Sequence, residues 1–542
     1  MIRTADNESS IKYGELFIVI FFSLMFGMRM WGIYEGKPMY GPLLVVGFVL
    51  WGIGVAFTDH NVYEYLLIAF AIGFSLLVYC MSGEKGILLY FALMMGMKGI
   101  NIRRLFKWGA FTGACGMAIR SFLAAFGLLE DVAYIQYRRG FGEVFRRSLG
   151  GSHPNVLSSS YTILSIMVMY LVGRDDKRRV WKSSAWILFF ALYPFIYSGS
   201  QTGILVIVGF ICLNLFYLYR NKIGLPEKIV LVILFPILWF LSIIGPMIAT
   251  DETVALVRKY DDTLGSRWEI ARYYLYNNGF TLFGQRLSNP ESSPYVSVDM
   301  SQLYLLLQLG LVAFVVVTIL WFVLICDEVK NNNIGELLIT FTMLIMGITD
   351  PFLYNLGFKN LAFVFMGRKL WEIIEKKSCR VPGALAFRRG DTLALQKKLS
   401  IPTSIFRKKR IFCNIQGKNA KLVSIAIVLF SFVTSVMVYV ERPDARYILA
   451  DHGPGEHAVE QYEDLIAGTY TEQEIDNIEK QGNIVLNYTD ENEPMYIYYT
   501  SEESPVRGGY YAPNAAKVEK ARFSASIFFL GIVVALLFRR LL

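Results

Sequence analysis

Charge is scarce in this chain. Of its 542 residues only 18% are Asp, Glu, Lys or Arg, while 54% are hydrophobic and the mean hydropathy is +0.43. Soluble domains carry about a quarter charged residues, so this much apolar surface calls for lipid as its solvent. Cysteine is sparse as well: Cys80, Cys115, Cys212, Cys326, Cys379 and Cys413 are the full set. No two stand at metal-ligand spacing, which argues against a structural zinc site and a disulfide framework. The chain has no GxxxxGK[ST], no HExxH and no GxSxG, so the marks of ATPase, zinc-protease and serine-hydrolase chemistry are missing. Heptad and solenoid repeats and long low-complexity tracts are also missing. Asp6, Glu8, Lys12 and Glu15 precede the first apolar run without a cleavable pattern, so that run is expected to stay as a membrane helix.

What is present is a series of long apolar runs. A bilayer core about 30 Å thick needs roughly 20 apolar residues per helix. Such runs begin near Leu16, Gly41, Tyr65, Ile87, Trp108, Val156, Ser184, Thr202, Ile229, Met300, Gly335, Asn355, Leu422 and Phe523. The expectation is an all-α polytopic membrane protein of about 14 transmembrane helices. The 53 Lys and Arg, which give a formal charge of +9, lie between these runs as the positive-inside rule asks; no nucleic-acid partner is expected. With both termini cytoplasmic, Asn101 to Lys107, Gly173 to Lys182 and Arg220 to Lys228 fall inside. Arg368 to Lys421 holds 15 Lys/Arg against 3 Asp/Glu and also falls inside, whereas Glu441 to Arg522 holds 7 against 17 and falls outside.

Three regions follow: a membrane domain over 1–375, a basic cytoplasmic linker over 376–421, and a two-helix hairpin over 422–542 carrying an acidic outer segment, 441–522. Thr471 with Glu474 is a capping-box pattern opening a helix that Gly482 could close. The β-prone runs Asn483 to Tyr488 and Met495 to Thr500 flank a turn-rich stretch. Between the last two spans the sequence thus predicts a small α+β extracytoplasmic domain.

Two other outer loops, Leu129 to Asn155 and Ala249 to Val298, are long and polar. The first contains Arg138, Arg139, Arg146 and Arg147 and ends at His153. Arginines on the outer side run against the positive-inside bias, and a planar guanidinium grips phosphate in two places while keeping its charge; lipid-headgroup anchoring is the plainer alternative. Arg120 lies in the outer part of the fifth span, where a charge needs a partner or a wet cavity. The second loop carries Asp261, Asp262, Arg267, Trp268 and Arg272 and ends at Asp299, which could equally cap the next helix. Adjacent Asp261 and Asp262 have no partner at ligand spacing, so no metal is expected. His60, in a short cytoplasmic turn, and His452 and His457, in the acidic segment, read as solvated surface histidines.

Several short motifs resemble the Wzy-like polysaccharide polymerases of Gram-positive capsule and exopolysaccharide systems, members of the O-antigen ligase/polymerase superfamily. Gly151-Ser152-His153-Pro154-Asn155 resembles their Gly-His-Pro-Asn stretch, and Ser198-Gly199-Ser200-Gln201-Thr202-Gly203 their Ser-Arg-Thr turn. Gly265-Ser266-Arg267-Trp268 with Leu282-Phe283-Gly284 is similar to their arginine and Phe-Gly signals. Asp299 with Tyr304-Leu305 and Gly310, and Gly347-Ile348-Thr349-Asp350, resemble two further patterns. Gln201 and Met300 stand where those patterns have Arg and Asn. The likeness covers roughly residues 16 to 375; the terminal hairpin lies outside it.

The resemblance implies a metal-independent, cofactor-free glycosyltransferase in the cytoplasmic membrane. It would polymerise undecaprenyl-diphosphate-linked oligosaccharide repeat units at the outer face, with membrane lipid around it and a chain-length regulator and a flippase as partners. Arg120, Arg139, Arg146, Arg147, Arg267 and Arg272 would hold the diphosphate, with Asp299 as the general base and His153 as a positioning group or the alternative base. Competing functions are a ligase moving a finished glycan to an acceptor and, in another class, a transporter or flippase for lipid-linked sugars.

Overall fold

The computed structural model describes residues 10–129, 131, 133–138, 142–220, 222–260, 262–287, 298–350, 354, 359–378, 401–402, 417–441, 447–450, 467–470, 483–488, 494–501, 504–511 and 513–541. They form a helical, membrane-embedded protein. Seven helices among them are long and apolar enough to cross a membrane, and three more apolar helices are shorter. Side chains such as Phe70, Leu205 and Phe430 are more than two-thirds exposed. Hydrocarbon, in place of water, makes such faces stable.

The chain divides into two compact units. The first comprises Met1–Ala114, Thr162–Trp186 and Leu205–Ile405. It holds α1 (Tyr13–Met30), α2 (Tyr40–Ala56), α3 (Val62–Ser82), α4 (Gly86–Gly96) and the first half of α5 (Ile102–Ala125), followed by parts of α6 (Pro154–Val172), α7 (Lys177–Ser198) and α8 (Gln201–Leu218). Next come α9 (Leu225–Trp239), a π-helical turn (Phe240–Ile244), α10 (Gly245–Ile248), α11 (Asp251–Tyr260) and α12 (Asp262–Asn277). The unit closes with α13 (Ser301–Leu307), α14 (Leu311–Asn331), α15 (Ile334–Thr349) and α16 (Ala362–Ser378). A two-residue strand β1 (Ser10–Ile11) pairs antiparallel with β4 (Ile401–Pro402).

Local chemistry explains the helix ends. Asn61 opens α3 with a capping box closed by Glu64, and Gly83 ends it in the left-handed region at φ 78°. The turn before α3 corrects one expectation: His60 is 3% exposed. Its Nδ1 lies 3.4 Å from Glu64, and its ring packs 5.0 Å from that of Trp371. Glu64 also takes a hydrogen bond from Lys98, which donates to the Asp59 carbonyl at 2.6 Å. Interhelical packing buried a histidine that turn composition alone places in water.

Two expected spans are broken. The run from Met300 divides into α13 and α14 at Gly310, φ 93°, and in the run expected from Asn355 residues 359–361 stand outside any helix, ahead of α16, which begins at Ala362. Irregular backbone beside hydrocarbon persists only where protein satisfies it. Here the Asn360 amide donates to Tyr90 Oη at 3.0 Å, and the Ala362 amide donates to Asn360 Oδ1 at 3.2 Å.

The second unit comprises Cys115–Tyr161, Ile187–Ile204 and Phe406–Leu542. It contains the remaining ends of α5 to α8 and a β-hairpin of β2 (Ala133–Arg138) and β3 (Gly142–Arg147). It also contains α17 (Gly417–Glu441) and α18 (Pro513–Leu541), the helices of the terminal hairpin. These two meet through small residues, as membrane helices do: Ser424 donates to the Ala535 carbonyl at 3.3 Å and Ser435 to that of Ser524 at 2.6 Å. A Cβ on Gly531 would lie 1.9 Å from Ser431 Oγ.

Between the two helices stands a five-stranded antiparallel sheet, ordered β6 (Ala467–Tyr470), β5 (Tyr447–Ala450), β9 (Ser504–Tyr511), β8 (Pro494–Ser501), β7 (Asn483–Tyr488). Strands β7 and β8 match the two β-prone runs. The helix expected over 471–482 lies outside the described residues.

Candidate functional site

In the first unit the site is built around α12. After α9, the π-helical turn sends the Gly245 amide five residues back to the Phe240 carbonyl. In that register the Leu241 carbonyl would be answered by residue 246, which is proline and has no N–H. The Trp268 indole answers it instead, at 3.1 Å. Only glycine fits beneath that ring, since a Cβ on Gly245 would come within 2.6 Å of it.

The same π turn forms one wall of an apolar groove of about 510 Å³. Phe235, Trp239, Phe240 and Ile243 line one side, Leu306, Leu311 and Phe314 line the other, and Phe280 also contributes. Thr318 is the one hydroxyl-bearing residue of the lining. π-bulges recur at functional sites because the extra residue re-aims the side chains around it.

One residue before Trp268, Arg267 donates from Nε and Nη2 to the Thr349 carbonyl at 3.2 and 3.1 Å, closing the end of α15. Ser301 donates to the Asp350 carbonyl, so side chains of α12 and α13 together satisfy that terminus. The charge of Arg267 also acts on Asp299, which lies between Val298 and Met300, both buried. Burial pushes the Asp299 carboxyl up from its ordinary value; Arg267 opposes this and Asp350 adds to it. Burial outweighs the neighbouring cation here, which makes Asp299 the stronger base once it is ionised. Nor does it cap α13: Met300 occupies that position, without a side-chain bond. Lys359, 1% exposed, brings a further charge that acts with those of Asp350 and Arg29.

Gly284 and Gly310 explain two of the short motifs. Both have φ above 90°, and a Cβ on Gly310 would lie 2.2 Å from the Gly284 nitrogen. The backbone segments cross there. Gln285 donates to the Gln308 carbonyl at 3.0 Å, and Leu311 to that of Thr281 at 2.9 Å. The crossing fixes the break between α13 and α14. Arg272 points elsewhere and pairs at 2.6 Å with Asp251, whose side chain is 95% exposed, so α12 separates it from Arg267.

In the second unit the arginines gather around the hairpin base. Successive residues of a strand face opposite ways, and Arg146 and Arg147 follow that rule. Arg146, 6% exposed, donates from Nε to the Ser198 carbonyl and from Nη2 to Asn155 Oδ1, each at 2.5 Å. Arg147 pairs with Asp131 at 2.7 Å and donates to the Ala124 carbonyl at 3.0 Å. Asp131 also accepts from Ser148 Oγ and the Gly150 amide. Arg120, 2% exposed, lies against Gly150 and Gly151. His153 opens α6: its Nδ1 accepts the Asn155 amide at 3.1 Å, so that nitrogen carries no proton in this arrangement. Arg139 lies outside the described residues.

Of the residues singled out in the sequence, Arg267 and Asp299 come together in the first unit, and Arg120, Arg146, Arg147 and His153 share the second. Sequence reasoning passed over Asp131 and Tyr197, and Lys359 and Arg522. A buried lysine inside an apolar run is a usable signal; the first two are ordinary until the hairpin folds. Among the described residues no three His, Cys, Asp or Glu are placed to hold a metal. Comparison with protein-family models, with curated proteins and with solved structures gave no match.

Proposed function

We propose that this chain is a glycosyltransferase that polymerises undecaprenyl-diphosphate-linked oligosaccharide repeat units at the outer face of the cytoplasmic membrane. In this account 14 spans cross the bilayer, both termini are cytoplasmic, and the five-stranded sheet belongs to an extracytoplasmic domain.

One observation carries the proposal. Neighbouring residues of α12 serve two chemistries: Arg267 stands in the field of Asp299, and Trp268 pins the wall of an apolar groove. A lipid-linked sugar needs both, hydrocarbon for its chain and a fixed cation for its phosphate. In the reaction the bond between the donor sugar and its diphosphate breaks as the acceptor hydroxyl attacks. Asp299 takes the hydroxyl proton, and guanidinium groups stabilise the charge left on the diphosphate. In the second unit Arg120, Arg139, Arg146 and Arg147 are proposed as phosphate contacts of their own; in the first unit Arg272 is the weakest candidate, because an exposed pair occupies it.

The motifs resembling Wzy-like polymerases support the same reading, and the crossing of Gly284 with Gly310 gives two of them a shared structural cause. A second reading, transport of a lipid-linked sugar, is favoured by the broken helices with Asp299, Asp350 and Lys359 near the breaks.

Purified protein in liposomes distinguishes them. Joining of lipid-linked units into longer glycans supports polymerisation. Movement of those units across the bilayer without joining supports transport and refutes polymerisation.

A further inference from the structure

We propose that the terminal hairpin is a working part of the arginine site, acting through Arg522 as a positioning residue for Arg146 and Arg147. This rests on the reading of those arginines as phosphate contacts. The hairpin lies beyond the stretch that resembles the polymerases, so nothing in that likeness assigns it a role.

Arg522 sits on α18 and is 1% exposed, too enclosed to be an anchor at a headgroup surface. Its Nε donates to the Ile196 carbonyl at 2.8 Å, and its guanidinium carbon lies 5.7 Å from the centre of the Tyr197 ring. The guanidinium carbon of Arg147 lies 5.8 Å from the centre of that same ring. Tyr197 is itself held by α18, donating to the Arg522 carbonyl at 3.0 Å and bonding to Ser526 Oγ at 2.5 Å. The next residue, Ser198, presents the carbonyl that holds Arg146, and Arg146 holds Asn155, whose amide is bound to His153.

A continuous chain of contacts therefore runs from α18 through Ile196, Tyr197 and Ser198 to both arginines. Two cations beside one ring repel each other through a medium of low dielectric, and the π face offsets part of that cost. Arg522 thereby holds the ring that Arg147 lies against and adds positive potential at the place where an anion would bind. Phe529 locks the helix into the same unit, its ring 5.2 Å from Tyr193 and from Phe189.

The test is the affinity of full-length protein in nanodiscs for inorganic diphosphate, with KM and kcat for lipid-linked repeat units measured alongside. Arg522→Lys keeps the charge and loses the planar fork. It should weaken diphosphate binding about tenfold and raise KM more than it lowers kcat, with melting close to wild type. Ser424→Ala, which removes a hydroxyl from the contact with Ala535 elsewhere in the same hairpin, should leave diphosphate affinity within about twofold.

In wild-type protein, saturating diphosphate should also slow amide exchange across 515–526, a readout that needs no variant. If Arg146→Lys weakens binding while Arg522→Lys does not, or if exchange in that segment is unchanged, the hairpin's role is overturned and the polymerase reading stands. If wild-type protein binds no diphosphate, both fall.

Discussion

The Trp268 indole donates to the carbonyl of Leu241 at 3.1 Å, and that bond joins a groove to a cation. The π-helical turn is followed by Pro246, which cannot supply the missing N–H, so a residue from α12 supplies it, and Arg267 comes with it.

Replacing Trp268 by Phe should therefore do more than shrink a ring. It leaves the half-buried Leu241 carbonyl without its donor, at a cost of about 1 kcal/mol, and loosens the groove wall. The expected outcome is a lower melting temperature together with a higher KM for the lipid-linked substrate. Thermal unfolding and steady-state kinetics on the same preparation check it; a variant with unchanged values in both would contradict the role given to the bond.

His153 is a helix-opening residue by geometry, since its Nδ1 takes the Asn155 amide ahead of α6. Asparagine is a strong N-cap residue and offers a similar acceptor. His153→Asn is expected to keep stability within about 0.5 kcal/mol and to retain most activity, whereas His153→Leu should lose about 1 kcal/mol. An inactive but fully stable His153→Asn protein would show that the imidazole does proton chemistry and would reverse its assignment relative to Asp299.

Asp299 predicts the pH dependence. Its carboxyl is raised by burial, and the base must be ionised to accept a proton. Activity should rise with pH through the folded-state pKa, with an acid limb displaced above the ordinary aspartate range and a tenfold fall per unit below it. Measured kcat/KM against pH, with the stability of the protein confirmed at each point, checks this. An acid limb at or below the ordinary aspartate value would remove the burial argument.

The sequence made the class of protein legible because lipid demands long apolar runs, and it singled out Arg267 and Asp299 as candidates through their place in a long outer loop and in the motifs that resemble the polymerases. The breaks were less visible. Gly310 lies within a continuous apolar stretch, and only its crossing with Gly284, 26 residues earlier in the chain, turns one span into two helices. The β-hairpin over 133–147 was read as a polar loop, since strand pairing near a membrane leaves a weak local pattern. Asp131 carried no signal of its own. Its importance comes from Arg147, Ser148 and Gly150 folding back onto it.

The working pair proposed for a polymerase is Arg267 with Asp299. Its most direct test is turnover of purified wild-type, Arg267→Lys and Asp299→Asn proteins on undecaprenyl-diphosphate-linked repeat units, with glycan length read on a gel. The account predicts a ladder of lengthening glycans from wild type and, from both variants at equal abundance and folding, a loss of at least a hundredfold, about 2.7 kcal/mol of transition-state stabilisation. Ladders of wild-type intensity from either variant would contradict it.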